Sequence, residues 1–469
     1  MTISAAKLLN ALNRIIWGPP LLVFLLGTGC GLTLLMNGIP IKKLPWALKL
    51  LWTSGNASGT EKEISGLKAL MMELAATIGT GNIVGVAGAM ILGGPGAVFW
   101  MNIAALFGLA VKLAESCLSV KYRRVGTDCL GGPMVTLRDA FPYKRMGKFL
   151  SVIYAFLALL CAVGMGNMVQ NNSIAESVQT VFRIPKVFSG FLLFLMTLAV
   201  MSGGMHKISN ICLYLVPAMG GIYLTGCLGI LLMNAGNLAD AVRGMATAAF
   251  CPRAACGGIF GITACSMRDS IRYGISRGIF SNEAGLGTGG ISASAATEAT
   301  PVRQGFISMT GVFFDTMLIC TVTGLTIACS GVLPKFQSGK LYLSNGTRAA
   351  LDDMIGLMIG VFESAYGKAG GMILGICLTL FAYATVLGWA VQGERIFCFL
   401  FGDRLRILFR ILFSVAGWIG SSCALEWVWG MSDLCNGLLA IPNLICLWVM
   451  GPEICRDVRA YFKEGVKEE

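Results

Sequence analysis

The 469 residues are 55% hydrophobic and only 13% charged, with a formal net charge of +12. Soluble domains carry about 25% charged residues, so this composition and the mean hydropathy of +0.74 exclude an ordinary soluble enzyme. The surplus of Lys and Arg would suggest nucleic acid in a soluble chain. In an apolar one it marks the short loops that set topology, and no nucleic-acid partner is expected.

Apolar runs of roughly 20 residues, the length that crosses a bilayer, recur throughout. They predict an all-α polytopic membrane protein with about eleven spans, near 16–36, 66–92, 96–120, 148–178, 187–203, 210–233, 246–266, 303–333, 370–392, 405–423 and 426–450. Alternate loops collect the positive charge: Lys42, Lys43 and Lys68, then Lys121, Arg123, Arg124, Lys144 and Arg145, then Lys207, then Arg268, Arg272, Arg277 and Arg303, then Arg395, Arg404 and Arg406, and finally Arg456, Arg459 and Lys463. The positive-inside rule then places the N-terminus outside and the C-terminus in the cytoplasm of a bacterial plasma membrane. An odd span count requires the same. Seventeen Cys with no CxxC pair read as small membrane hydrophobes, and the single His206 excludes a His-based metal site. No cofactor is expected.

Span two carries AATIGTGNIVGVAG (75–88), where Gly79, Gly81 and Gly85 weaken a helix at membrane depth. Setting the first span aside leaves ten, and the second set of five opens on ACGGIFGITAC (255–265), also rich in Gly. Five spans separate the two stretches, so the halves have opposite orientation. Interrupted helices at matching positions of inverted halves point to the binding site of a secondary transporter. The expected organisation is a leading helix and amphipathic linker (1–65), two five-helix repeats (66–233 and 246–450) and a cytoplasmic tail (451–469). Unwinding at 78–82 would free backbone N–H groups at a helix N-terminus, suited to a carboxylate. The carbonyls of the preceding half-helix would face a cation.

Several stretches resemble the alanine/glycine:cation symporter family: GTGNIVGVAGAMILGGPGAVFWMNIAALFGLAVKLAESCLSVKYR (79–123), GNMVQNNSIAESV (166–178), IRYGISRGIFSNEAGLG (271–287), PVRQGFISMTGVFFDTMLICT (301–321), YATVLGWAVQGER (383–395) and NGLLAIPNLICL (436–447). The resemblance implies a leucine-transporter-type 5+5 inverted repeat with one extra leading helix. It also implies uptake of alanine, glycine or similar small neutral amino acids coupled to sodium, with proton coupling as the alternative. It carries the substrate carboxylate to Gly79, Thr80 and Gly81, further substrate contacts to Asn82 and Gln170, and a side-chain wall to Trp389 with Gly258, Ile259 and Phe260. Related folds would place sodium at Thr385 and Val386 with carbonyls near Ala76 and Gly79. Ala384 stands where the family commonly has Ser, which removes one hydroxyl.

Other residues keep two readings. Asn167 and Gln170, three apart, share a helix face and either bond neighbouring helices or meet substrate. Trp389 is either pocket wall or plain packing. Glu73 is either a proton or cation relay or the lining of a wet inner vestibule. Asp315 either contacts a cation or is a satisfied buried acid. Lys112 and Glu115 are expected to pair with each other, and SNEAGLG (281–287), after three arginines, to belong to a cytoplasmic gate. A membrane hydrolase would need a partner for the GxSxG at 274–278, and a channel a continuous polar lining; neither is evident.

Overall fold

A computed structural model of the protein describes residues 2–53, 64–124, 130–250, 267–297, 300–332, 335–337, 340–342 and 354–463. Helices α1 (Thr2–Ile16), α2 (Pro19–Leu35), α3 (Ile39–Lys42) and α4 (Leu44–Thr53) lead into α5 (Gly66–Thr77) and α6 (Gly81–Gly93). Then follow α7 (Gly96–Lys121), α8 (Pro133–Asp139), α9 (Lys144–Phe182), α10 (Lys186–Met201), α11 (Gly204–Met233) and α12 (Leu238–Phe250). The remainder comprises α13 (Met267–Asn282), α14 (Thr288–Ala293), α15 (Pro301–Cys329), α16 (Met354–Tyr366), α17 (Lys368–Phe401), α18 (Arg406–Ser422) and α19 (Leu425–Lys463). A short antiparallel hairpin pairs Lys335–Gln337 with Lys340–Tyr342.

Among the described residues seven helices are long and apolar enough to span a membrane, and the bent pair α5–α6 makes an eighth. Helices α2 and α10 are apolar but shorter, at 17 and 16 residues. Side chains such as Phe188, Leu192, Leu195, Tyr214, Leu228, Leu232, Ile407 and Ile411 are exposed on α10, α11 and α18. That is the expected outer surface of a lipid-embedded bundle.

Contacts define two ends. At one end Lys43 lies over Phe462, Trp46 packs on Phe306 and Phe462, Ile64 pairs with Ala296, and Arg123 donates to Ser294 and Ala296 carbonyls. At the other, Asn13 and Trp17 donate to the Gly430 and Asp433 carbonyls. The first and last described helices therefore start and stop at opposite ends of the bundle, with α2 crossing between them against α7 and α19. Gly29 allows the close crossing on α7, where a Cβ would sit 2.9 Å from Phe107 Cβ.

Small residues bring helices together, as lipid-embedded packing requires. A Cβ at Gly274 would lie 2.4 Å from the Ala97 carbonyl oxygen, and one at Gly278 would lie 3.4 Å from Met101 Cα. The GISRG stretch is thus a packing face of α13 on α7, and Ser276 only bonds back to the Tyr273 carbonyl.

Candidate functional site

The first break falls where the glycines predict it. Ile78 turns extended (φ −75°, ψ 91°), and α5 and α6 diverge by 53°. The amides released there are held by side-chain oxygens. The Gly79 N–H donates to Asn82 Oδ1 at 2.9 Å, while the Thr80 N–H and hydroxyl donate to Gln170 Oε1 at 3.3 and 3.0 Å. Thr385 of α17 donates to the Ile78 carbonyl at 3.3 Å, and a Cβ on Gly79 would sit 2.3 Å from Thr385 Oγ1. Gly388, one turn on, brings α17 against Ala76, where a Cβ would be 2.5 Å from its nitrogen. Ala76, Gly79, Thr80, Gln170 and Thr385 are therefore brought together, all buried. Val386 is buried on the same stretch of α17.

A discontinuity is seen where none was expected. The stretch 255–265, with Gly258, Ile259 and Phe260, is outside the described residues. A break is seen at 283–287, between α13 and α14, where Glu283 (φ 57°), Gly285 (φ 101°) and Gly287 (φ 77°) take left-handed backbone. In the SNEAGLG stretch, expected to belong to a cytoplasmic gate, Ser281, Asn282 and Glu283 are all buried. A Cβ on Gly81 would lie 3.1 Å from Phe280 and 3.6 Å from Ser281 Cα, so the two breaks face each other. Helix α13 runs antiparallel to α6, with Ser270 bonded to the Gly93 carbonyl. Arg268 and Arg272 therefore belong to the end opposite Gly66 and leave the tally of cytoplasmic charge. Arg277 makes a two-pronged bond to Asp433 (2.9 and 2.8 Å) and covers Phe280, which stacks on Trp429 at 5.1 Å. This lid closes the site on the Asp433 side.

Buried charged side chains satisfy the second break. Glu115 Oε1 accepts from the Gly285 and Gly287 amides at 2.9 and 3.0 Å and from Asn443 at 2.6 Å. Glu283 accepts from Trp389 Nε1 at 3.0 Å and from Thr288 at 2.5 Å. Lys112 pairs with Glu73 at 3.0 Å and donates to the Asn282 carbonyl. The expected Lys112–Glu115 pair is therefore absent, because unpaired amides of the break take Glu115 and Lys112 turns to α5. Sequence spacing could not have shown this, since the competing partners come from other helices.

Three helices carry wide π-type turns at the site: 81–85, 164–168 and 313–320. Such turns recur at functional sites. The turn in α9 separates the faces of Asn167 and Gln170. Asn167 bonds the Phe413 carbonyl and Asn171, while Gln170 reaches Thr80. Trp389, fully buried, packs on Gly166, where a Cβ would overlap its Cγ at 2.2 Å. The turn in α15 presents Asp315. Its Oδ1 accepts from Asn82 at 2.7 Å, and its Oδ2 accepts from Ser281 at 2.6 Å and Thr316 at 2.7 Å. Asn282 and Thr316 bond beside it at 2.9 Å. One buried carboxylate thus gathers groups from both breaks: the Asn82 amide nitrogen on one side and the Ser281 and Thr316 hydroxyls on the other, so the carboxylate and the two hydroxyls are the hard oxygens that could serve a monovalent cation. Ser281 and Asn82 were not foreseen as its partners, although FSN and GTGN stood in the motifs.

Facing discontinuous helices with opposed directions, inside a bundle of membrane-length helices, define a multi-pass membrane transporter of the leucine-transporter type, not an enzyme. Solved structures share this fold. The chain matches MhsT in complex with L-phenylalanine at TM-score 0.53, covering 86% of this chain and 99% of that one at 14% identity. A manganese transporter of Eremococcus coleocola matches at TM-score 0.56 over 86% and 78%, also at 14% identity. The family model described as the sodium:alanine symporter family matches residues 2–469, and the chain belongs to that family. A relative from Methanococcus maripaludis, the sodium/alanine symporter AgcS, is 41% identical over 97% of both chains. The amino-acid carrier protein AlsT of Bacillus subtilis is 30% identical over 98% of this chain and 92% of its own.

Proposed function

We propose that the protein is a secondary active symporter that takes up small neutral amino acids, alanine or glycine foremost, with sodium as the coupling ion. The observation that carries this reading is the pair of amides at the first break, Gly79 and Thr80, held by the oxygens of Asn82 and Gln170. Those oxygens occupy the acceptor positions that a substrate carboxylate would take, at a helix N-terminus that favours an anion. Gln170 would then turn its amide to the substrate. Trp389, wedged on Gly166 and tied to Glu283, limits the room for a side chain. Family membership and the name of the AgcS relative support the same substrate class.

Two oxygen clusters suit sodium. One comprises Thr385 Oγ1, the Ile78 carbonyl and neighbouring carbonyls at Ala76, Gly79 and Val386; the other is the Asp315 carboxylate with the Ser281 and Thr316 hydroxyls. With Ala384 opposite the first, that cluster has a single hydroxyl. Thr385→Ala is accordingly expected to raise the sodium concentration for half-maximal uptake about tenfold, the effect of losing one hydrogen-bonding ligand worth about 1.4 kcal/mol. Uptake titrated against sodium measures it, and an unchanged dependence moves the ion away from Thr385.

The protein would sit in the plasma membrane with its N-terminus outside and the Lys43, Arg123 and Lys463 end in the cytoplasm. One charge entering down 100 mV supplies about 2.3 kcal/mol, enough for roughly a 50-fold gradient of a neutral substrate. The deciding experiment is labelled alanine and glycine uptake into proteoliposomes with sodium, lithium and proton gradients imposed separately. Accumulation under sodium alone is the expected result. Accumulation under the proton gradient alone would make the protein proton-coupled, and none under any gradient would overturn the reading.

A further inference from the structure

Apart from the transport site, the chain holds a basic cavity at the end of the bundle where Lys43 and Arg123 lie. Arg124, Arg395, Arg406 and Arg410, with Glu394 and Asp403, line a space of about 370 Å³, a size usual for ligand sites. It is enclosed by the start of α11, the last turns of α17 and the first turns of α18. Arg395 is 9% exposed and donates to the Ile291 carbonyl at 2.8 Å and to the Ser294 hydroxyl at 3.3 Å. Arg123 donates to the Ser294 carbonyl, so the cavity lies at the same end and against the inner half-helix α14.

The charges around this space do not balance. Arg410 grips Glu394 with two bonds, at 2.6 and 3.0 Å, while Arg406 reaches Asp403 at 3.0 Å and Glu394 at 3.6 Å. Two carboxylates thus stand against four guanidinium groups in the lining. Asp139, which holds Arg124 from outside the lining, is matched by Arg138 over the Phe399 ring. A surplus of positive charge therefore remains. The N-terminus of α11 adds to it: Gly204, Met205 and His206 line the cavity, and the N-cap Gly203 has no side chain to bond the first amides. Guanidinium groups beside a helix N-terminus are the donors that recognise phosphate.

Helix α18 connects this chemistry to lipid. Arg406 and Arg410, four residues apart, form one stripe, and Ile407 and Ile411 form the next, exposed like Phe401 at the end of α17. An acyl chain lying along Ile407 and Ile411 puts its headgroup at the level of the arginines. We propose that this cavity is a site for an anionic phosphate group, borne by a lipid headgroup or free in solution. Basic pockets between membrane helices are suited to such headgroups.

The test measures binding to the purified full-length protein in neutral detergent, with phosphatidylglycerol, phosphatidylcholine and inorganic phosphate as separate probes. Phosphatidylglycerol is expected to bind more tightly than phosphatidylcholine, whose choline neutralises its own phosphate; equal affinities overturn the inference. In Arg124→Gln/Arg406→Gln the affinity for phosphatidylglycerol should fall about tenfold or more, the usual effect of losing charge-assisted bonds. Arg404→Gln removes a charge from the same turn but outside the lining, and should bind as the wild type does. Inorganic phosphate that binds with the same arginine dependence makes free anion a ligand, whereas binding of the lipid alone makes the headgroup the ligand. A wild type that binds neither probe overturns the inference, as does a loss in Arg404→Gln equal to that in the double variant. If the double variant does not fold, a photoreactive phosphatidylglycerol on the wild type decides. Labelling concentrated within 391–410 supports the site, and labelling spread evenly over the lipid-facing helices overturns it.

Discussion

Replacing Gly79 by Ala is expected to abolish sodium-driven alanine uptake while leaving a folded protein in the membrane. The added Cβ would meet Thr385 Oγ1 at 2.3 Å and Gln170 Oε1 at 3.2 Å. Neither neighbour can yield without loss: Thr385 holds the Ile78 carbonyl, and Gln170 holds Thr80. Overpacking of this kind costs about 1–3 kcal/mol, which at about 1.4 kcal/mol per decade is roughly a 5- to 150-fold loss if it falls on the bound state. Here it strikes the proposed carboxylate cradle and the proposed sodium site together, so the upper part of that range is expected. Uptake in proteoliposomes, normalised to reconstituted protein, measures it. Wild-type uptake would remove 79–82 from the substrate site.

Asp315→Asn is expected to raise the sodium requirement by tenfold or more and to uncouple alanine from the sodium gradient. The carboxylate accepts from Asn82, Ser281 and Thr316. An amide in its place keeps one acceptor oxygen and sets a donor either against Asn82 or against Ser281 and Thr316, and each buried group left unpaired costs about 1–3 kcal/mol. It also removes the charge opposite the proposed ion. A variant that binds alanine with wild-type sodium dependence would make Asp315 a structural acid. Because Asn82 and Ser281 come from the two breaks, the variant should also loosen their contact, read as faster hydrogen exchange at 280–284.

The membrane class, most of the apolar helices and the first break were legible in the sequence. They depend on local properties: runs of apolar residues near bilayer length, and Gly79 and Gly81 in a helix that otherwise resists interruption. The break at 283–287 was not foreseen, for an equally local reason. Arg268, Arg272 and Arg277 made 267–287 look like a polar loop, whereas Asp433 takes up the charge of Arg277 from the far end of the chain. Left-handed backbone at Glu283, Gly285 and Gly287 was the available signal, since Gly at alternate positions after an acid suits such a turn. Asn167 and Gln170, expected on one helix face, reach different partners because a π-type turn shifts the register beside them.

The sequence by itself determined that this chain lives in lipid, where most of its long apolar helices lie and where one of them cannot stay helical, because hydrophobic length and glycine act within a few residues. Only the tertiary structure decided what meets at the breaks. Freed amides and buried charges in a medium without water must each find a partner. Those partners (Glu115 for Gly285, Gln170 for Thr80, Lys112 for Glu73) stand on other helices, chosen by packing and not by spacing along the chain.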